Sequence, residues 1–412
     1  MKYGLIGGRL GHSFSKIIHE RLEPDEYVLK ELTPEEVAGF IRERGFEAIN
    51  VTIPYKETVM PHLDEIDGAA MAIGSVNTVV NRGGRLSGYN TDLFGFTALL
   101  GKLGIDVNGK KAVILGTGGT SKTAYAALRQ LGASEIHKVS RTPGEGVIDY
   151  AELYERHLDA QIIINTTPVG MYPDCDGMPI SLEGFKSLSG VVDVIYNPLR
   201  TRLVLEAMER GIPAGGGLYM LVAQAVRASE IFRDKVYPEG VTDEIYDALV
   251  RDKESIVLIG MPSSGKSTVG ARLAELLGRE ILDTDSVVVE DEGCTIPEIF
   301  KEKGEGYFRD AETLAVKKCA ARGGVIVATG GGAVLRRENL TALRQNGRLY
   351  YLDRPLELLI PTSDRPLSSD SSALRKRYTE RYPVYTAAAD VRVDGSGSVE
   401  EVANSILGDF CK

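Results

Sequence analysis

Eight residues well past the middle of the chain, Gly260-Met-Pro-Ser-Ser-Gly265-Lys266-Ser267, constrain the fold more than any other stretch. They match G-x-x-x-x-G-K-[ST], follow the apolar run Ser255–Ile259 and lead into a helical pattern over Val269–Leu277. A strand, a glycine-rich loop and a helix in that order place consecutive backbone N–H groups around phosphates. In that reading Ser263, Ser264, Gly265 and Thr268 line the nucleotide, Lys266 reaches the β/γ oxygens, and the Ser267 hydroxyl holds Mg²⁺. The motif begins about 250 residues in, so a complete unit is expected before it.

Composition agrees with more than one globular unit. At 412 residues the chain has room for two or three cores. A net charge of −10 argues against nucleic acid as the main partner. No run approaches the ~18 apolar residues of a membrane span, and Met1-Lys-Tyr-Gly enters a strand directly, with no signal peptide expected. Four scattered cysteines form no C-x-x-C pair, which implies free thiols in a reducing, cytoplasmic setting.

Short β-rich runs at Lys2–Ile6, Tyr27–Leu29, Ala48–Ile53 and Val76–Val80 alternate with helical ones, and Thr33-Pro34-Glu35-Glu36 has the form of a helix start. Beyond Asp92 the pattern becomes strand–helix repeats: Lys111–Leu115, Glu135–Val139, Gln161–Asn165 and Gly190–Val194. The fold class expected is α/β throughout. An α/β substrate domain (1–100 and 218–250) joins a Rossmann-like domain (101–217), and a P-loop NTPase-type domain with a parallel sheet follows (254–412). The charged stretch Arg251-Asp-Lys-Glu254 is expected to be a short linker, with the boundary near 252. Each half holds a complete set of motifs, so a cut there is expected to leave two active fragments.

In the first half, Gly116-Thr-Gly118-Gly119-Thr-Ser121 forms a Rossmann-like turn. Its third usual glycine is replaced by Ser121, and the next strand ends in Ser140-Arg141-Thr142 where an NAD site would want an acid. Arg141 suits a 2′-phosphate, so the cofactor expected is NADP. Polar clusters follow other strands: His12-Ser13-Phe14-Ser15, Asn50-Val-Thr52-Ile-Pro-Tyr-Lys56, and Asn77 with Asn90-Thr91-Asp92. They offer hydroxyls, amides and a Lys/Asp pair, the inventory for a polyhydroxylated ligand and for giving a proton to a developing alkoxide. Lys56 and Asp92 taken singly would be ordinary surface charges.

In the second half, Ile281-Leu-Asp283-Thr-Asp285 ends a strand in two carboxylates. Asp283 is placed to bind Mg²⁺ and Asp285 to accept a proton from an attacking hydroxyl, although two acids after a strand also make a helix N-cap. Thr329-Gly330-Gly331-Gly332 lets backbone approach a ligand, and Arg309, Arg365 and Arg381 suit carboxylate or phosphate.

At this point a resemblance is specific. The motifs quoted for residues 1–92 follow in order with Ser75-Val-Asn-Thr78, Ile164-Asn-Thr-Thr-Pro-Val-Gly-Met171, Asp193-Val-Ile-Tyr196 and Gly217-Leu-Tyr-Met-Leu-Val-Ala-Gln224. Residues 1–250 resemble the shikimate dehydrogenase family. The resemblance implies Ser13, Ser15, Thr52, Asn77, Tyr196 and Gln224 as substrate contacts, with Lys56 and Asp92 handling the proton. It also implies Gly116, Gly118, Gly119, Lys122, Ser140, Arg141 and Met220 as NADP contacts. Arg9 and Lys16 stand where that family usually has prolines.

Residues 254–410 resemble shikimate kinase. That implies Arg309 and Arg381 at the substrate carboxylate, Gly331 as a further substrate contact, Arg365 from a lid, Asp285 and Lys266 in the chemistry, and ATP with Mg²⁺. Two departures bear on turnover: Ser263 replaces a frequent glycine, and the lid before Arg365 is short. The implied function is NADPH-dependent reduction of 3-dehydroshikimate followed by ATP-dependent phosphorylation of shikimate. A quinate-type dehydrogenase fused to a small-polyol kinase, or one degenerate regulatory half, stand as alternatives.

Overall fold

The computed structural model describes residues 1–11, 14–359 and 371–411. The chain divides into two compact units. One holds Met1–Val169, Met178–Asn197 and Glu206–Ala248; the other holds Gly170–Gly177, Pro198–Leu205 and Leu249–Lys412.

The first unit is built on two six-stranded sheets. One runs Tyr27–Glu31, Tyr3–Gly7, Ala48–Val51, Thr78–Arg82, Arg85–Tyr89, Glu65–Ile66, with parallel pairs at its start and an antiparallel hairpin beyond. Ile6, Ile49, Val51 and Leu86 turn one face of it onto Val37 and Ile41 of the helix Pro34–Glu43. Thr33 and Glu36 close a capping box there with Pro34 in the first turn, as the sequence pattern predicts. The second sheet is all parallel, in the order Ala214–Gly215, Gly190–Asp193, Ile162–Asn165, Lys111–Leu115, Glu135–Val139, Val147–Ile148. Its first strand in chain order, Lys111–Leu115, lies at the centre, and later strands extend from it to both sides, Glu135–Val139 on one and Ile162–Asn165 on the other. The crevice for a ligand therefore lies at its carboxyl end, where the Gly116 turn sits.

The second unit carries a five-stranded parallel sheet in the order Ile281–Asp283, Ile326–Ala328, Ser255–Ile259, Gly347–Asp353, Val391–Asp394. The strand before the P-loop is central and buried on both faces. Val257 and Ile259 enter one core, and Ile256 and Leu258 the other. A continuous apolar run is what such a strand requires.

Two expectations are corrected. Arg251–Glu254 is no linker: the helix Val241–Lys253 runs to within one residue of the strand Ser255–Ile259. Asp243 and Glu244 in its first turn and Arg251 and Lys253 in its last suit the helix dipole, and no Gly or Pro stops it. The second unit also takes in two short earlier segments. Within it Leu199 N donates to Asn346 Oδ1 (2.9 Å) and Gln345 Nε2 to the Cys175 carbonyl (2.7 Å). Arg200 Nη2 reaches Glu254 Oε1 at 2.9 Å, and Arg348 holds the other oxygen of that buried carboxylate at 3.1 Å. No helix among the described residues is long and apolar enough to cross a membrane.

Candidate active sites

In the first unit, a cavity of about 350 Å³ opens at the carboxyl ends of the first sheet. Lys56, Asp92, Asn77, Thr52, Tyr196 and Gln224 are among its lining residues, with Ser15, Asn50 and Arg9. Lys56 Nζ donates to Asp92 Oδ2 at 2.6 Å, and both side chains are largely shielded, at 20% and 13% exposure. Asp92 opens the helix Asp92–Lys102, where a carboxylate suits the N-terminal dipole.

Behind the pair lies a buried amide–hydroxyl network. Asn77 Nδ2 donates to Thr91 Oγ1 (3.0 Å) and Gln224 Oε1 (3.4 Å), and Asn77 Oδ1 accepts from Thr91 N (2.8 Å). Asn50 accepts from the Tyr27 hydroxyl at 2.7 Å and donates to the Asn77 carbonyl at 3.2 Å. Satisfied buried amides of this kind hold their orientation before any ligand arrives. Burial pushes the Tyr196 phenol up, so it meets a ligand as a neutral donor.

The Gly116 turn fits a dinucleotide. Gly116 has φ 107°, and a Cβ there would lie 2.7 Å from Thr166 Oγ1. At Gly118 and Gly119 a Cβ would meet no described atom within 4 Å, so their smallness serves open space at the start of the helix Gly119–Gln130. Lys122 Nζ is paired with Glu57 Oε1 at 2.6 Å on the surface, a pair weak enough to exchange for a phosphate.

The P-loop of the second unit fits a nucleotide by the same kind of test. Lys266 Nζ folds onto the carbonyls of Gly260 and Met261, each at 2.9 Å. Ser264 Oγ is buried and has no hydrogen-bond partner among the described residues. Ser267 Oγ donates to Asp283 Oδ2 at 2.8 Å, while Asp283 Oδ1 caps the next helix by accepting from Asp285 N (3.0 Å) and Ser286 N (3.3 Å). The capping and metal readings of Asp283 are thus compatible, one for each oxygen. A hydroxyl and a carboxylate form a hard oxygen set suited to Mg²⁺.

Beside them, Arg309 Nη1 donates to Glu312 Oε2 at 2.7 Å, and Arg381 Nη1 to the Gly331 carbonyl at 2.9 Å. Burial pushes the Glu312 carboxyl up, opposed by the Arg309 guanidinium. The three glycines of the Thr329 turn are crowded by protein. A Cβ on Gly330 would fall 2.4 Å from Asp285 Oδ1, on Gly331 2.9 Å from Pro262 Cδ, and on Gly332 2.1 Å from Arg309 Nη1.

Comparisons with known proteins converge on these two places. Residues 5–79 match the family model for the shikimate dehydrogenase substrate binding domain, and residues 262–410 that for shikimate kinase. The NADP(+) shikimate dehydrogenase of Clostridium perfringens strain SM101 is 35% identical over 265 residues, which is 60% of this chain and 97% of that protein. The chain belongs to the shikimate dehydrogenase family. A Halothermothrix orenii shikimate dehydrogenase is 38% identical over 279 residues, covering 60% of this chain and 94% of that one. Among solved structures, a chorismate mutase/shikimate 5-dehydrogenase fusion from Clostridium acetobutylicum aligns with TM-score 0.57 and 38% identity. It covers 60% of this chain and 96% of the other. The Thermus thermophilus shikimate 5-dehydrogenase in complex with NADP(H) and shikimate aligns with TM-score 0.54 and 30% identity, over 60% and 99%.

In this shikimate dehydrogenase family member, one cavity gathers Ser15, Thr52, Lys56, Asn77, Asp92, Tyr196 and Gln224. Gly116, Gly118 and Gly119 sit at the Rossmann turn, and Ser140 and Arg141 follow the adjacent strand. Met220, expected among the cofactor contacts, is buried in one core cluster with Phe96, Leu99 and Ala124. Ser13 and Arg365 lie outside the described residues. Sequence reasoning missed Glu312 as part of these sites and named Thr91 only within the polar cluster Asn90–Asp92. The spacing Arg309-x-x-Glu312 on one helix was the available signal for the first.

Proposed function

We propose that residues 1–250 reduce 3-dehydroshikimate to shikimate with NADPH, and that residues 254–412 phosphorylate shikimate with ATP and Mg²⁺. The observation that carries the first half is the shielded Lys56–Asp92 pair inside a polar cavity. Gly116–Gly119 would hold NADPH and Arg141 its 2′-phosphate, and the bound cofactor would supply the hydride. Lys56 gives its proton to the carbonyl oxygen as that oxygen becomes a hydroxyl, and Asp92 holds the ammonium in place. Asn77, Gln224, Ser15, Thr52 and Tyr196 bind the ring hydroxyls and carboxylate.

In the second half Asp285 takes the proton of the attacking hydroxyl, and Arg309 and Arg381 grip the substrate carboxylate. Lys266 offsets charge on the phosphoryl oxygens, while Ser267 and Asp283 hold Mg²⁺. Ser263, Ser264, Gly265 and Thr268 line the nucleotide. The first product is the second substrate, which favours this pairing over unrelated activities. All four thiols are free, in keeping with a cytoplasmic enzyme.

Purified protein assayed separately for shikimate-dependent NADP⁺ reduction and shikimate-dependent ADP release tests both halves. Reduction with NADH in preference to NADPH, or failure of Arg141→Ala to raise the KM for NADPH, overturns the cofactor assignment. ADP release that ignores added shikimate overturns the second activity.

A further inference from the structure

Away from both sites, two histidines and a glutamate converge on the second sheet of the first unit. Glu135 and His137 are two apart on the strand Glu135–Val139, so they share one face. His157 follows the helix Tyr150–Arg156 and folds onto that face, with ring centroids of His137 and His157 3.9 Å apart and tilted by 36°. His137 Nε2 lies 2.6 Å from Glu135 Oε1, and one donor atom from each of the three lies within 4.8 Å of the others.

Burial adds a second observation. His157 is 8% exposed, and its Nδ1 is sealed from water with no hydrogen-bond partner among the described residues. A buried imidazole nitrogen facing no donor or acceptor is costly. Glu135 meanwhile stays half open to solvent. Lys111 contacts the outer oxygen of Glu135 at 3.7 Å, but its closer partner is Asp159 at 2.9 Å, so the inner oxygen is left to the histidines.

We propose that Glu135, His137 and His157 form a binding site for a divalent transition ion of the zinc class. Two neutral imidazoles and one carboxylate, with a fourth position open to water, suit Zn²⁺, Co²⁺ or Ni²⁺ and not Mg²⁺ or Ca²⁺. Donors around tetrahedral zinc stand about 3.3 Å apart, so small side-chain rotations close the site. Binding selects the neutral His137 tautomer with its proton on Nδ1, which frees Nε2 and the Glu135 carboxylate as ligands. The ion ties the helix Tyr150–Arg156 to the strand whose far end presents Ser140 and Arg141. Its effect is a firmer second sheet, with no part in the chemistry of either site.

The test uses the full chain, stripped with chelator and equilibrated against buffered free Zn²⁺. Wild type is expected to hold one Zn²⁺ with micromolar affinity and to show a higher unfolding midpoint with it. His157→Asn and His137→Asn weaken that affinity by about ten-fold or more and abolish the shift, with dehydrogenase turnover in metal-free buffer unchanged. Glu135→Gln, at an exposed position, gives the same loss if a histidine variant fails to fold. Equal zinc affinity in wild type, His137→Asn and Glu135→Gln overturns the site, as does wild type that retains no zinc below millimolar concentration.

Discussion

Lys56 shows how little one residue says alone and how much its partner adds. A surface lysine points into water, whereas Lys56 sits in a cavity with its ammonium fixed 2.6 Å from Asp92. Lys56→Ala is expected to lower dehydrogenase kcat by about 10²-fold or more, the size of a lost general acid, with a smaller change in the KM for NADPH. An unchanged kcat removes Lys56 from the mechanism.

His19 illustrates a different residue-scale effect. It is 4% exposed, stacks on Tyr27 at 4.2 Å, and is pushed down to about 3, first by burial and then by Arg233. Its ordinary value is near 6.5, so between the two values the unfolded chain carries one more proton than the folded one. This contribution is fully present above pH ~6.5 and is lost as pH falls, by up to about 1.4 kcal/mol per pH unit. Unfolding midpoints between pH 7 and 5 are expected to fall less steeply in His19→Gln than in wild type, and parallel slopes refute the assignment.

Among the loops and turns, two backbone constraints set how the second site works. Ser263 adopts φ 64°, a left-handed conformation that costs a non-glycine residue about 1–2 kcal/mol. The departure noted in the P-loop is therefore a source of strain. Ser263→Gly relieves it at the cost of a more flexible unfolded chain. The net expectation is a kinase inactivation midpoint about 2 °C higher with kcat retained; a lower midpoint means the serine hydroxyl offsets the strain.

The Thr329 turn works the other way. Gly332 leaves room for a guanidinium that Glu312 and Glu305 hold against it. Gly332→Ala displaces Arg309 and is expected to raise the KM for shikimate about ten-fold or more, as loss of a charge-assisted bond does. The KM for ATP stays as it was. A change confined to ATP would separate Arg309 from the substrate.

At the scale of the whole molecule, the two compact units do not follow a single cut in the chain. Residues 170–177 and 198–205 belong with the second unit. There Arg200 supplies one of the two guanidiniums on the buried Glu254. A cut near 252, expected to leave two active fragments, would separate these two segments from the rest of the second unit. A fragment starting at 254 keeps its motifs but loses Arg200, and is expected to be about 1.5–3 kcal/mol less stable than the same residues in the full chain. Arg200→Ala in the full chain should reproduce much of that loss, read as the midpoint of kinase inactivation. Equal midpoints for fragment and full chain would show that the early segments contribute nothing.

What can be read along the chain is local. The strands Lys111–Leu115 and Ser255–Ile259 lie where apolar runs place them, and the turns after Leu115 and Ile259 announce themselves by glycines, because both depend on neighbours a few residues away. Thr78–Arg82 overlaps the expected strand Val76–Val80, but its hairpin partner Arg85–Tyr89 is absent from the expected strands although Gly83-Gly84, both at positive φ, is a two-residue turn signal. Charge without Gly or Pro at 251–254 suggests a linker, yet the same composition ends a helix well. Only the tertiary structure could decide the rest. Lys56 meets Asp92 across 36 residues, and Asn77 meets Gln224 across 147. Glu312 is buried because Arg309, Asp285 and Gly330 come to one point from three separate elements. Such meetings are set by sheet register and helix packing, in which each side chain's environment is made by residues remote from it in the chain.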